Sequence, residues 1–165
     1  MKKTFVTLVS LAVLITTLFS VAYAQRAVFL VRHADRMDDS EDTPLSKAGK
    51  ARAQLLARLL KDAGLTAIYT SHFQRTIKTA EPLATSLQIN PVSIPIGDNA
   101  GLFKRIRTEN RDDTVLIVGH DSTIPGLLKL FGHPVDITIA ATEYDNLFVL
   151  VPKDSGPPMV LRIRY

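Results

Sequence analysis

From residue 27 onward, unbroken apolar runs of strand length alternate with stretches whose apolar residues recur every three or four positions. "AVFLVR" predicts a first strand over about Ala27 to Arg32, and "TAIYTS", "TVLIVGH", "NLFVLVP" and "MVLRIRY" predict further strands. "PVSIPI" fits only a short edge strand, because its two prolines cannot donate to a ladder. A first helix is predicted from an N-cap at Ser46 to about Asp62, with Ala51, Leu55, Leu59 and Ala63 on one face and Gly64 as its stop. A second takes "RTIKTAEPLATSLQ", where Ile77, Ala80, Ala84 and Leu87 keep helical spacing and Pro82 calls for a kink or restart near Glu81. A third, capped by Asp98 or Asn99, reaches about Arg107, and a fourth runs from about Ser122 to Phe131 before Gly132. The last two strands pair as a hairpin around Asp154 to Pro158. Such alternation predicts an α/β fold class, a sheet with helices on its faces.

Polar residues punctuate the apolar runs at telling places. Arg32 and His33 end the first strand, His120 ends "TVLIVGH", and Arg75 opens the second helix. In an open α/β sheet, ligands sit outside the carboxyl ends of the strands. Singly, each residue reads as a surface group or a salt-bridge partner. Brought together by converging strand ends, two arginines and two histidines repel one another unless an anion joins them. The matching ligand is compact and anionic, a phosphate or a carboxylate. Helix N-termini after Thr70-Ser71 and after His120 would add backbone N–H donors. There is no glycine-rich phosphate loop and no Asp/Glu/His cluster with metal-ligand spacing, so side chains are expected to bind the anion without metal or cofactor.

Composition narrows the setting. Residues 1–24 have the form of a secretory signal peptide: Lys2 and Lys3, an apolar stretch, then Ala22-Tyr23-Ala24 as a small-x-small cleavage site. An uncleaved membrane anchor is the alternative, since the uncharged run from Thr4 to Gln25 could span a bilayer. Cleavage predicts an exported protein, periplasmic or secreted, with residues 25–165 as one domain and no stable membrane insertion. The formal charge of +4 falls to +2 when Lys2 and Lys3 leave, and no dense Lys/Arg run suggests nucleic acid as a partner. Absence of cysteine excludes disulfides, thiol chemistry and a Cys-type zinc site.

Four segments, in order, resemble the histidine phosphatase (phosphoglycerate mutase-like) superfamily. "VRHA" is similar to its Arg-His-Gly signature, with Ala34 where glycine is usual. "LSKAGKARAQLLARLL" resembles its first helix, "IYTSHFQRTIKTAEPLA" its second-arginine segment and "VLIVGHDSTIP" its second-histidine segment. The resemblance implies a three-layer fold with a mostly parallel central sheet and helices on both faces. It implies His33 as the nucleophile that forms a phosphohistidine, with Arg32, Arg75 and His120 clamping the phosphoryl oxygens. The His33 nitrogen that does not attack is expected to donate to a backbone carbonyl. For the general acid, the acid-phosphatase branch places an Asp after the second histidine, which here is Asp121. Asp35, Asp38 or Asp39 from the acidic loop "DRMDDSEDTP" is the alternative, and Asp121 could instead cap the helix that follows. Ser122 and Thr123 fit either phosphate donation or capping, while His72 and His133 read as surface and turn residues.

The leading expectation is therefore an exported phosphomonoesterase acting on a small-molecule or glycan phosphate ester. The competing expectations are a phosphoryl-transferring mutase, a protein-phosphohistidine phosphatase, and a non-catalytic phosphate- or phosphosugar-binding protein on the same fold.

Overall fold

A computed structural model describes residues 27–153 and 155–165. The segment expected to be a signal peptide lies outside the described residues. The chain runs β1 (Val28–Arg32), α1 (Lys47–Leu60), β2 (Leu65–Thr70), α2 (Gln74–Leu87), β3 (Val92–Ser93), α3 (Asn99–Glu109), β4 (Thr114–Gly119), α4 (Ile124–Leu130), β5 (Asn146–Val151) and β6 (Met159–Arg164). The strands form one sheet in the order β3-β2-β4-β1-β5-β6. β3, β2, β4 and β1 are parallel to their neighbours, and β5 and β6 extend the β1 side as an antiparallel hairpin.

β1 and β4 are apolar on both faces because both faces are covered. Leu30, Ile117 and Phe148 pack on one face with Leu102 and Ile106 of α3 and Ile124, Leu127 and Leu128 of α4. Val31, Leu116, Val118 and Leu147 pack on the other with Leu56 and Leu60 of α1 and Leu83 of α2. The architecture is thus the three-layer, mostly parallel α/β arrangement expected. Among the described residues no helix is long and apolar enough to cross a membrane.

Several local expectations need correction. The buried face of α1 carries Gly49, Ala53, Leu56, Ala57 and Leu60, whereas Leu59 is half exposed. The doublets Leu55-Leu56 and Leu59-Leu60 offer two adjacent stripes, and small residues at 49 and 53 select the one that can approach β1 closely. On α2 the inward residues are Thr76, Thr79, Ala80, Leu83 and Ala84, and Ile77 faces outward. Those threonines satisfy their hydroxyls on backbone, Thr79 on Arg75 O at 2.7 Å and Thr76 on Phe73 O at 2.9 Å, which makes their burial tolerable. α2 continues through Pro82 as one helix instead of restarting. β3 is the short edge strand expected, two residues long, whereas α4 begins at Ile124, with Thr123 and not Asp121 in the capping position. Asp98 caps α3, accepting from Gly101 N at 2.9 Å.

Candidate active site

The parallel register pairs Arg32 with Gly119, so the residues that follow, His33 and His120, leave the sheet side by side. His33 N donates to Gly119 O at 2.9 Å, and the two imidazole centroids are 5.3 Å apart. Both rings are almost fully buried. His33 Nδ1 lies 2.9 Å from Ala34 O. A carbonyl can only accept, so Nδ1 carries the proton and Nε2 is left with its lone pair. Burial, reinforced by Arg32, His120 and Arg75 and opposed by the Ala34 hydrogen bond, pushes the His33 pKa down to about 3. The imidazole is neutral at pH 7.

Arg32 is held from several sides. Its Nη1 donates to the carbonyls of Ala140 (3.0 Å), Ala141 (2.7 Å) and Glu143 (3.2 Å). Its Nη2 forms an ion pair with Asp121 at 3.0 Å, and its guanidinium lies 4.2 Å from the Tyr144 ring centroid. Nε is buried without a partner. Such an orphaned donor in a buried guanidinium is uncommon and marks spare binding capacity.

Arg75 extends from the first turn of α2, stacks 4.1 Å from the Phe73 ring centroid, and donates through Nη1 to Glu41 O at 2.7 Å. Desolvation lowers its pKa, with Arg36 and Arg32 adding to the effect. His120 completes the group: its Nε2 lies 3.0 Å from Ser71 Oγ, and burial followed by Arg75 pushes its pKa down to about 4. The structure thus brings Arg32, His33, Arg75, His120 and Asp121 to one end of the sheet.

The loop carboxylates go elsewhere. Asp35 pairs with Arg52 of α1 at 2.6 Å; burial raises its pKa, yet the Arg52 hydrogen bond and charge outweigh this and hold it below the ordinary value. Asp38 takes Ser40, and Asp39, widely exposed, takes Arg36. Asp42 accepts from Gln74 N at 2.7 Å and Gln74 Nε2 at 3.2 Å. The N-terminus of α2, expected to be an open anion site, is therefore closed by this loop, because an acidic side chain complements the helix dipole there. At α4, Thr123 Oγ1 accepts from His120 N at 2.9 Å.

Ala34 is turned inward among Leu45 and Ala53, so its methyl group is accommodated in the core. Its N–H donates to Thr79 Oγ1 at 2.9 Å, tying the turn after β1 to α2. Ser71, Thr79, Tyr144 and the carbonyls of residues 140–143 were not singled out in the sequence. Nothing local distinguishes "AATEY" from any loop, and backbone carbonyls leave no signature in residue type. Only the "TSHFQRT" segment held a usable signal, a hydroxyl four residues before Arg75. Among the described residues no group of three His, Asp or Glu side chains is arranged to hold a metal ion.

Residues 28–95 match the family model of the histidine phosphatase superfamily (branch 1). Over 75 residues the chain is 35% identical to "Probable phosphoglycerate mutase GpmB" of Proteus mirabilis, a match spanning 41% of this chain and 35% of that protein. The namesake from Photorhabdus laumondii is 38% identical over 64 residues, 34% of this chain and 30% of that one. The chain thus matches about a third of the length of these curated relatives. Among solved structures, the protein histidine phosphatase SixA complexed with tungstate superposes with a TM-score of 0.68 at 21% identity, covering 84% of this chain and 96% of that one. A mycobacterial glucosyl-3-phosphoglycerate phosphatase gives 0.61 at 15% identity, covering 82% and 97%. At these identities the structural likeness speaks for the fold. The sequence match to the histidine phosphatase superfamily spans the segment that carries Arg32, His33 and Arg75, and the fold of the chain is similar to that of its solved members.

Proposed function

We propose that this chain is a phosphomonoesterase that works through a phosphohistidine on His33. The observation that carries the reading is the state of that ring: neutral, with Nδ1–H fixed on Ala34 O and the Nε2 lone pair free, beside Arg32 and His120. In the first step Nε2 attacks phosphorus, the N–P bond forms and the P–O bond to the leaving group breaks. Asp121 gives a proton to the departing oxygen. In the second step water attacks phosphorus, the P–N bond breaks and Asp121 takes the proton back. An incoming oxyanion displaces Asp121 from Arg32 Nη2 and leaves the carboxyl facing the leaving group. Arg75 and His120 hold the remaining oxygens. None of these steps calls on a metal.

The substrate class is a small-molecule or glycan phosphate monoester, in keeping with the names of the similar proteins. Mutase activity is the second reading, favoured by the sequence match to GpmB. Export belongs to the same proposal: residues 1–24 serve as a signal peptide and 25–165 as the working domain, supported by Lys2-Lys3 and Ala22-Tyr23-Ala24.

Incubation with a chromogenic aryl phosphate followed by an alkaline quench should trap acid-labile phosphate on the protein. His33→Ala should abolish both the trapped phosphate and turnover, and undiminished turnover in that variant would sink the mechanism. Asp121→Asn should slow alkyl phosphates about 10²-fold or more while sparing aryl phosphates, whose leaving groups need little protonation. Equal losses on both classes would remove Asp121 from the acid role.

A further inference from the structure

Behind His120 lies a pair of hydroxyls, Ser71 and Thr76, whose contacts favour one direction of donation. Thr76 Oγ1 is 3.1 Å from Ser71 O and 2.9 Å from Phe73 O. Carbonyls only accept, and two of them face Thr76 Oγ1, which favours its single hydroxyl proton pointing to one of these oxygens over Ser71 Oγ. Thr76 Oγ1 is also 2.9 Å from Ser71 Oγ, and with its own proton committed it accepts there while Ser71 donates. Ser71 then has no proton left for His120 Nε2, 3.0 Å away, so that nitrogen is the donor. Phe73 N–H, 3.4 Å from Ser71 Oγ, approaches the same oxygen as a second, weaker donor.

His120 is neutral at pH 7, since burial and Arg75 take its pKa to about 4. It holds one ring proton, and the hydroxyl pair draws that proton to Nε2. Nδ1 has no hydrogen-bond partner among the described residues. It is also not among the sealed, unpaired atoms, which are Arg32 Nε, Asn146 Nδ2 and Tyr165 OH. Nδ1 therefore keeps a bare lone pair that is not sealed from solvent.

We propose that Ser71 and Thr76 form a positioning relay that holds His120 as its Nε2–H tautomer, so that a tetrahedral oxyanion binds together with one proton taken up at Nδ1. A lone pair facing an anionic oxygen repels it, whereas Nδ1–H of an imidazolium donates a charge-assisted hydrogen bond. The charged and titratable groups around the ring are Arg32 at the end of β1, His33 beside it, Arg75 from α2, His72 before α2, and Asp121 next in sequence. Burial and the cations hold the ring neutral, and an arriving dianion offsets the cations. His33 is not the acceptor, because its Nδ1–H is spent on Ala34 and its Nε2 must stay bare for attack. The uptake rests on the phosphate-site reading above; the relay does not.

Two measurements on the whole protein test this. Nitrogen NMR of the labelled rings should show free His120 protonated at Nε2 and bare at Nδ1. Calorimetric titration with tungstate, a dianion without a proton of its own at neutral pH, in buffers of different ionisation heat should show uptake approaching one proton near pH 6. Tungstate affinity should then fall by up to tenfold per pH unit as pH rises. Ser71→Ala should scramble the His120 tautomer and flatten the pH dependence, and Ser71→Thr should restore both. A free His120 protonated at Nδ1 overturns the relay, and so does tungstate binding without proton uptake; both leave the phosphatase reading intact. The Nε2–H tautomer with no tungstate binding overturns the phosphate-site reading and the coupled uptake together, while the relay stands.

Discussion

His33 and His120 are both kept neutral by burial, and that has a consequence for stability as well as for chemistry. Each folded-state pKa lies below the ordinary value of 6.5, at about 3 and about 4. As pH falls below 6.5 the unfolded chain takes up protons that the folded chain refuses, so the stabilisation present above 6.5 is lost progressively down to those values. Each imidazole contributes a slope of about 1.4 kcal/mol per pH unit in its window. The unfolding temperature of the anion-free protein should therefore drop steadily between pH 6.5 and pH 4, and a flat profile would contradict neutral burial of the pair. Saturating tungstate should reduce the drop, because the bound anion favours a protonated His120. Catalysis reads the same state differently. A nucleophile that stays neutral to about pH 3 leaves no loss of turnover at pH 6.5 attributable to its own protonation.

At the scale of elements, the geometry of the site depends on how closely α1 approaches the turn after β1. Gly49 lies on the buried face of α1, and a methyl group built there would collide with the Asp35 carbonyl. The same carbonyl accepts from Ser46 N at 2.9 Å, where Ser46 caps the helix. Asp35 is two residues from the proposed nucleophile and is held from its side chain as well, by Arg52. Gly49→Ala should therefore destabilise the protein by about 1–3 kcal/mol through overpacking, and lower turnover by displacing the His33 turn. The exposed neighbour substitution Lys50→Ala should do neither. Denaturant unfolding and steady-state kinetics on the two variants decide it, and a Gly49→Ala protein as stable as Lys50→Ala would show that α1 can recede without cost. This close approach is why the inward face of α1 departs from the one its apolar spacing predicts. The leucine doublets permitted either stripe, and only the partner surface, a backbone carbonyl that tolerates no side chain, made position 49 face inward.

For the molecule as a whole, the packing described runs from Val28 through the carboxyl terminus, with Tyr165 N donating to Asp145 O at 3.0 Å and Arg52 Nη1 donating to Tyr165 O at 2.8 Å. The last residue is thus tied both to the loop before β5 and to α1. A chain of residues 25–165 should fold and turn over aryl phosphate like the chain of residues 1–165. A truncated chain that aggregates or unfolds would assign residues 1–24 a structural part in place of, or besides, the proposed export. In a bacterial host, amino-terminal sequencing of the exported fraction should start at Gln25.

Much of this was legible in the residues because the signals are local. An apolar run predicts a buried strand wherever it lies, and a helix cap needs only its own first turn, so the sheet, the helices and the polar residues at their ends follow from sequence. Residue type and position at the ends of strands and the start of a helix also singled out Arg32, His33, Arg75 and His120 as candidates for an anion site. What only the tertiary structure decided was pairing across long separations. The register of β1 on β4 set His33 beside His120. Among many carboxylates, Asp35 went to Arg52, Asp42 to the start of α2, and Asp121 to Arg32. Carbonyls more than a hundred residues away took the other side of Arg32. A carboxylate or a guanidinium carries the same charge wherever it sits, and which partner it neutralises depends on distance in space, which the order of residues does not contain.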